Sequence, residues 1–189
     1  IPNTVTSIGT RAFQSCYDLT SIVLSNSLTS LEEYTFLDCK SLTSIVLPNS
    51  VTRIEFDTFK GCSSLTSIEI PDTVTHIGSG AFSNCSSLTS IVLPNSVTSI
   101  EFDTFRGCSS LRSVVIPVSI TGISTYSFAY CDSLNTIFYE GSYENWNQNV
   151  YINTTSKLDC KLLAYYSKTR PSNTNNRYWH YVQNVPTLW

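Results

Sequence analysis

A single spacing of 23 residues governs most of this 189-residue chain. Three residue types each recur at that interval. The cysteines are Cys16, Cys39, Cys62, Cys85, Cys108 and Cys131; the phenylalanines are Phe13, Phe36, Phe59, Phe82, Phe105 and Phe128; the leucines are Leu19, Leu42, Leu65, Leu88, Leu111 and Leu134. A fixed period of about 20 to 50 residues is typical of a solenoid, in which each repeat buries its apolar face only against its neighbours. The spacing predicts six stacked repeats over residues 1–139 and a C-terminal segment, 140–189, outside the period.

Each repeat begins with the pattern of a short strand. In the repeat of residues 42–64, Ile45 and Leu47 alternate about Val46, which predicts a strand with Val46 facing outward. Pro48 follows and ends the strand, because proline has no N–H group to donate to a neighbouring strand. Seven apolar positions per repeat are expected to face inward. In the first repeat these are Val5, Ile8, Phe13, Cys16, Leu19, Ile22 and Leu24.

The second half of each repeat has the pattern of a tight turn. Phe59 and Cys62 are three residues apart, which fits one face of a short helical turn. Four of the six ladder cysteines follow a glycine, asparagine or aspartate. Because these residues tolerate the left-handed conformation, we expect that conformation just before each cysteine.

The composition excludes several classes of protein. Charged residues make up 13% of the chain, the net charge is −3, and the few lysines and arginines are scattered. A nucleic-acid partner is therefore not expected, because phosphate recognition needs a basic stripe. No apolar run reaches the length of about 18 residues that a transmembrane helix requires, so no membrane insertion is expected.

The repeat resembles a known family. The element A-F-x-x-C occurs at residues 12–16 and 81–85, and units such as that of residues 47–54 carry L-P-x-S-V-T-x-I. In these motifs residues 1–139 resemble the BspA-like, Treponema-type leucine-rich repeat family. The resemblance implies a mainly β solenoid, a right-handed leucine-rich-repeat superhelix with short helical turns. It also implies a secreted or surface-exposed protein of mucosal bacteria, and some members are linked to adhesion. Ile1 and Pro2 have the phase of a mid-repeat Leu-Pro pair, so we expect further repeats upstream.

The C-terminal segment is expected to close the stack. It resembles the segment that ends such arrays in gut-bacterial members, and the last coil would otherwise leave a strand edge unpaired. Apolar runs predict strands at residues 151–152, 162–166 and 178–182, with a polar loop at 167–177. We therefore predict a β-rich cap.

The cysteines have a structural explanation. Neighbouring coils bring them within disulfide range, but stacked side chains point the same way, and seven cysteines are an odd number. We expect buried thiols that act as small apolar groups, and no metal or cofactor, because no Cys-x-x-Cys motif is present. Cys160 and His180 could form a nucleophile and a base, but packing is the favoured interpretation and an enzyme is not expected.

The recurring acidic residues suggest one further kind of site. Glu32, Glu55 and Glu101 share one position of the repeat, and Asp57 and Asp103 share another. Calcium binding needs several converging oxygens. Glycines interrupt the first series, so we interpret these residues, with the outward His76, as a solvated face.

The outward strand positions form the candidate partner-binding site. They are Val23, Val46, Glu69, Val92, Val115 and Phe138, flanked by Ser21, Ser44, Ser67, Ser90, Ser113 and Thr136. Strand propensity alone can explain a valine column. The alternative is a mildly apolar concave face that binds a protein, with Glu69 orienting the partner. We predict a non-catalytic adhesion module, extracellular or at the cell surface, whose protein partner could belong to the host extracellular matrix.

The aromatic residues of the C-terminal segment leave a second function open. Trp146, Trp179 and Trp189 could stack on sugar rings, which would make the chain a carbohydrate-binding module with a glycan ligand. Sealing of the last coil is the simpler interpretation. A structural spacer between other domains is the third alternative.

Overall fold

The repeats wind into a β-solenoid with two columns of short strands. A computed structural model describes residues 1–152, 162–168, 178–183 and 185–188. One column consists of β1 (Ser30–Leu31), β2 (Arg53–Ile54), β3 (His76–Ile77), β5 (Ser99–Ile100), β7 (Gly122–Ile123) and β9 (Tyr151–Ile152). The other consists of β4 (Ser90–Val92), β6 (Ser113–Ile116), β8 (Thr136–Tyr139), β10 (Leu162–Tyr166), β11 (Tyr178–Val182) and β12 (Val185–Leu188).

The second column carries the candidate site. Its strands form one sheet in the order β4-β6-β8-β10-β11-β12, parallel except for β11 and β12. Equivalent repeat positions lie side by side, as in the row Ser90, Ser113 and Thr136. Parallel bridges from Val23 to Val46 and from Val46 to Glu69 extend this arrangement to the earlier coils. We call the outward side of this strand column the concave face.

The phenylalanines form a continuous stack through the core. Successive rings from Phe13 to Phe128 are nearly parallel, with centroids 5.4 to 5.6 Å apart. Phe36, Phe59, Phe82 and Phe105 are fully buried. The inward positions predicted from the sequence are therefore confirmed for the inner coils. In the first coil Ile8 and Leu24 are buried, whereas the other five positions are only partly buried: Val5, Phe13, Cys16, Leu19 and Ile22.

The turn before each cysteine is left-handed, as predicted. All six residues concerned have positive φ: Ser15, Asp38, Gly61, Asn84, Gly107 and Tyr130. A second left-handed position in each repeat was not predicted; it comprises Arg11, Tyr34, Asp57, Gly80, Asp103 and Tyr126. The turns do not extend into helices. The Cys62 N–H donates to the Phe59 carbonyl three residues back, whereas the Phe59 N–H donates across the coils to Ala81.

Five of the six ladder cysteines are buried thiols and Cys16 is partly buried, which confirms the predicted role for the inner coils. The six described cysteines are unpaired; Cys160 lies outside the described residues. Each thiol from Cys39 onward donates to a phenylalanine carbonyl of the preceding coil, as Cys62 does to Phe36 at 3.2 Å. Side chains turned toward carbonyls cannot bridge to one another. Burial raises the pKa of the Cys39 thiol to about 11 and that of Cys131 to about 12.

The C-terminal segment packs on the last coil. The predicted strands β9, β10 and β11 are present, and β10 pairs with β8 along its length. The helix α1 (Tyr143–Asn149) was not predicted, because seven residues are too few for an amphipathic period to be recognised. Its Trp146 is buried and packs edge-on against Tyr139, with ring centroids 4.8 Å apart. Within the described ranges, no helix has the length and apolar character needed to cross a bilayer.

Candidate functional site

The concave face exposes a column of apolar side chains around one carboxylate. Val23, Val46 and Val92 are 81%, 80% and 53% exposed, and Glu69 lies in line between the last two. The flanking residues of each strand point inward; Ile45, Leu47, Ile91 and Leu93 are all buried. The predicted outward orientation is therefore confirmed for Val23, Val46, Glu69 and Val92.

Two of the six predicted site residues are not accessible. Val115 is 3% exposed and Phe138 is 8% exposed, so the expectation that they face a partner is wrong. Phe138 lies beside Val115 on one side and Ala164 on the other. The indole of Trp179 packs on Phe138 with ring centroids 5.2 Å apart, and its Nε1–H donates to the Tyr139 carbonyl at 2.8 Å.

The small side chain of Ala164 explains how this cover forms. Trp179 belongs to β11, and β10, which contains Ala164, lies between it and Phe138. A methyl group at this position leaves room for the indole to reach across to Phe138. The accessible column therefore ends at Val92, and Val115, Phe138, Ala164 and Trp179 form a small cluster of their own.

A groove lies on the exposed column along residues 67–72 and 90–95 and reaches the turns that follow those strands. Its volume is about 480 Å³, and Glu69, Val92 and Pro94 contribute to its lining. Asp72 and Glu140 add carboxylates to the same lining. Sequence reasoning missed the groove, because Glu140 follows the last repeat and comes to the others only through the stacking of the coils.

The C-terminal segment fixes one of these carboxylates. The Tyr181 hydroxyl donates to Glu140 Oε1 at 2.7 Å. Burial, followed by the hydrogen bond to Glu140, raises the pKa of the Tyr181 hydroxyl. The Tyr181 ring in turn packs against Trp179, with centroids 4.9 Å apart. Glu140 is thereby held at the groove by the same residues that cover Phe138.

The predicted solvated acidic face is only partly correct. Asp57 is 4% exposed and pairs with Lys60 at 2.7 Å, so it is not solvated; burial raises the pKa of its carboxyl group. Glu101 accepts a hydrogen bond from the Ser99 hydroxyl at 2.6 Å. His76 is partly exposed, with its Nε2 3.8 Å from Glu55. Among the described residues, no group of acidic, histidine or cysteine side chains could hold a metal ion.

The aromatic residues of the C-terminal segment mainly seal the last coil. Trp146 and Trp179 are buried, so neither ring offers a free face for a sugar. Trp189 lies outside the described residues. Of the Cys160–His180 pair considered from the sequence, Cys160 also lies outside the described residues and His180 is part of β11.

The turn side of the solenoid carries aromatic pairs that the sequence reasoning overlooked. Tyr34 packs edge-on with Phe56, and Phe102 with Tyr126, at 5.3 and 5.9 Å between centroids. Phe56 and Phe102 occupy the same position two repeats apart, in the segment E-F-D-T-F that occurs twice. The sequence signal for these pairs was the extra phenylalanine of each such segment, which lies three residues before the periodic, buried phenylalanine.

Comparison with known proteins assigns the repeat region to a family. The family model described as a BspA type leucine-rich repeat region of six copies matches residues 1–89 and again 29–159. No curated protein matches the chain.

Three solved structures are similar to the chain. A leucine-rich cell surface protein from Faecalibacterium prausnitzii is 34% identical, with a TM-score of 0.67, over 69% of this chain and 35% of that one. A leucine-rich repeat protein from T. pallidum is 35% identical, with a TM-score of 0.67, over 69% and 61%. One from Bacteroides ovatus is 25% identical, with a TM-score of 0.54, over 85% and 59%. The chain thus spans less than two thirds of each of these proteins.

Proposed function

Because the chain belongs to the BspA-type leucine-rich repeat family, we propose that it is a non-catalytic interaction module that binds a protein partner through its concave face. The observation that carries the proposal is the exposed column of Val23, Val46 and Val92. Exposed apolar side chains in a contiguous row mark interaction sites, whereas isolated ones do not. Glu69 places one charge within that row, and this charge would orient the partner along it.

The proposed location is extracellular or at the cell surface, with adhesion to the host extracellular matrix as the role. The relative from Faecalibacterium prausnitzii is described as a cell surface protein, which supports the location. Repeat modules of this family are protein-interaction or surface modules, and a flat strand face is suited to a protein rather than to a small molecule. We also propose that residues 140–189 are a separate capping segment, in which the buried Trp146 and Trp179 protect the apolar end of the stack.

The test is a double substitution on the concave face. Val46→Glu with Val92→Glu adds two charges to the exposed column and should abolish partner binding. The fold should survive, because Glu69 already places a glutamate in the same column. Val185→Glu is the matched control, since Val185 is 60% exposed but lies on β12, at the far edge of the sheet.

The three proteins are compared on a panel of immobilised extracellular-matrix proteins and on a mucosal glycan array. Binding to a matrix protein that the double variant loses and the control keeps supports the proposal. Glycan binding that both variants keep would move the site away from the concave face. Absence of binding to either set would favour a structural spacer. Circular dichroism of each variant confirms that it is folded.

A further inference from the structure

We propose that the segment recognised by the concave face is a basic polypeptide, with lysine or arginine side chains beside apolar ones. This inference rests on the proposed function and specifies the chemistry of its partner. It depends on the signs of the charges around the groove, on the lack of cationic partners for them among the described residues, and on the apolar side chains between them.

The charges on the repeat strands of this face have one sign. The sheet of the concave face continues beyond the repeats into β10, β11 and β12, where β11 contains His180. Within the repeats, the strands of this face and the turns that follow them comprise residues 21–26, 44–49, 67–72, 90–95, 113–118 and 136–140. These segments contain Glu69, Asp72 and Glu140 and no lysine, arginine or histidine. All three carboxylates contribute to the lining of the same groove of about 480 Å³. The 11 basic residues of the chain lie in other segments.

The three carboxylates are not neutralised within the described part of the chain. The ion pairs found there involve Glu55, Asp57 and Asp103, which belong to the turn side of the repeats. Glu140 accepts a hydrogen bond from Tyr181, but the tyrosine hydroxyl is a neutral donor and does not cancel the charge of the carboxylate. A cationic partner therefore gains attraction at the groove without displacing an existing ion pair.

The spacing of the carboxylates favours a polypeptide over a metal ion. Calcium requires oxygens that converge on one point. Among the residues that the structure describes, no three acidic side chains are close enough together to do so. Separated carboxylates match separate cationic side chains along a chain, and the exposed Val46 and Val92 provide apolar contacts beside them.

The test uses three labelled peptides of 12 residues, with the repeating units Lys-Val-Ser, Gln-Val-Ser and Glu-Val-Ser. Their binding to the 189-residue chain is measured by fluorescence anisotropy at low and at high salt. The groove variant combines Glu69→Gln, Asp72→Asn and Glu140→Gln, each of which keeps an oxygen in place. The control variant combines Asp18→Asn, Glu33→Gln and Asp132→Asn, which are exposed carboxylates outside the groove and change the net charge equally.

The Lys peptide should bind most tightly, and high salt should weaken its binding. Exposed ion pairs contribute about 1.4- to five-fold in affinity each, so the groove variant should lose roughly three- to one-hundred-fold while the control variant changes little. Equal losses in both variants, or binding of the Gln peptide as tightly as the Lys peptide, would overturn the inference. The inference would also be overturned if none of the three peptides bound.

The same assay with Val46→Glu and Val92→Glu separates the two proposals. If the Gln peptide binds as well as the Lys peptide and this variant abolishes both, the concave face is still the binding site and only its charge preference is wrong. The extracellular-matrix panel tests the proposed function independently of any peptide.

Discussion

Gly78 offers the sharpest test of how closely the coils are packed. It follows β3, and its N–H donates to the Ile54 carbonyl of the preceding coil at 2.8 Å. A Cβ atom at this position would lie 2.7 Å from the Glu55 carbonyl carbon and 2.7 Å from the Phe56 nitrogen. Both are backbone atoms, so neither can rotate away. Gly78→Ala should therefore force the two coils apart locally.

The expected cost follows from these distances. Non-bonded carbon atoms are best separated by about 3.5 to 4.0 Å, so the contact is too short by roughly 0.8 Å or more. Inserting a methyl group into a packed site costs about 1 to 3 kcal/mol. Alanine also stabilises a protein by about 0.4 to 1 kcal/mol through the unfolded chain. Gly78→Ala should lower the free energy of unfolding by roughly 1 to 2 kcal/mol.

The chain contains a matched control for this change. Gly9 occupies the same position of the first repeat, and a Cβ atom there would meet nothing within 4 Å. Neither glycine has a positive φ, so both variants lose the same backbone freedom. Gly9→Ala should therefore be neutral or stabilising by up to about 1 kcal/mol.

Urea unfolding followed by circular dichroism measures both variants against the unchanged chain. A lower midpoint for Gly78→Ala with an unaltered slope, and no decrease for Gly9→Ala, would support the steric explanation. Equal destabilisation by both substitutions would refute it, because the cost would then come from backbone conformation rather than from the approach of the coils. Stability of Gly78→Ala at or above that of the unchanged chain would refute it as well.

Two further predictions concern the cap and the thiols. Trp179→Ala should lower the stability of the C-terminal strands by about 3 to 5 kcal/mol, because it removes a buried indole. Amide hydrogen exchange should become faster in β10 and β11 while β4 stays protected. Equal loss of protection in all three strands would contradict this prediction. Burial raises the pKa values of the ladder thiols above the usual 9.0, so the stability that they contribute is complete below about pH 9 and is lost as the pH rises toward their pKa values in the folded chain. Between pH 9 and 11 the free energy of unfolding should fall by up to about 1.4 kcal/mol per pH unit for each such thiol. The double variant Cys62→Ala with Cys85→Ala should show a smaller fall per pH unit. An unchanged fall would contradict the explanation by buried thiols.

The sequence predicted the coil well, because its signal is local and repeated. The inward phenylalanines and cysteines, the strand alternation around Val46 and the left-handed residue before each cysteine all follow from one 23-residue unit. Each is confirmed, because every coil meets an almost identical neighbour and so presents the same environment again. The helix α1 and the second left-handed position were missed, since neither has a distinctive residue type: α1 is short, and the second position contains Arg11, Tyr34 and Gly80 alike.

The candidate site shows where repetition stops being informative. Val92 and Val115 occupy the same position of successive repeats, yet one is 53% exposed and the other 3%. Nothing in their own repeats distinguishes them. The difference arises because a tryptophan from a non-periodic segment packs across Ala164 onto Phe138, and only the folded chain brings those residues together. The burial of Asp57 likewise depends on the coil beside it, where Gly80 leaves room for the carboxylate.

The sequence by itself thus determined the solenoid, the residues of its core and the family, because a periodic chain buries the same face in every turn. The tertiary structure alone decided how much of the concave face is open to a partner and which carboxylates meet in its groove. Exposure depends on what else packs against a residue, and here the cover comes from the part of the chain that does not repeat.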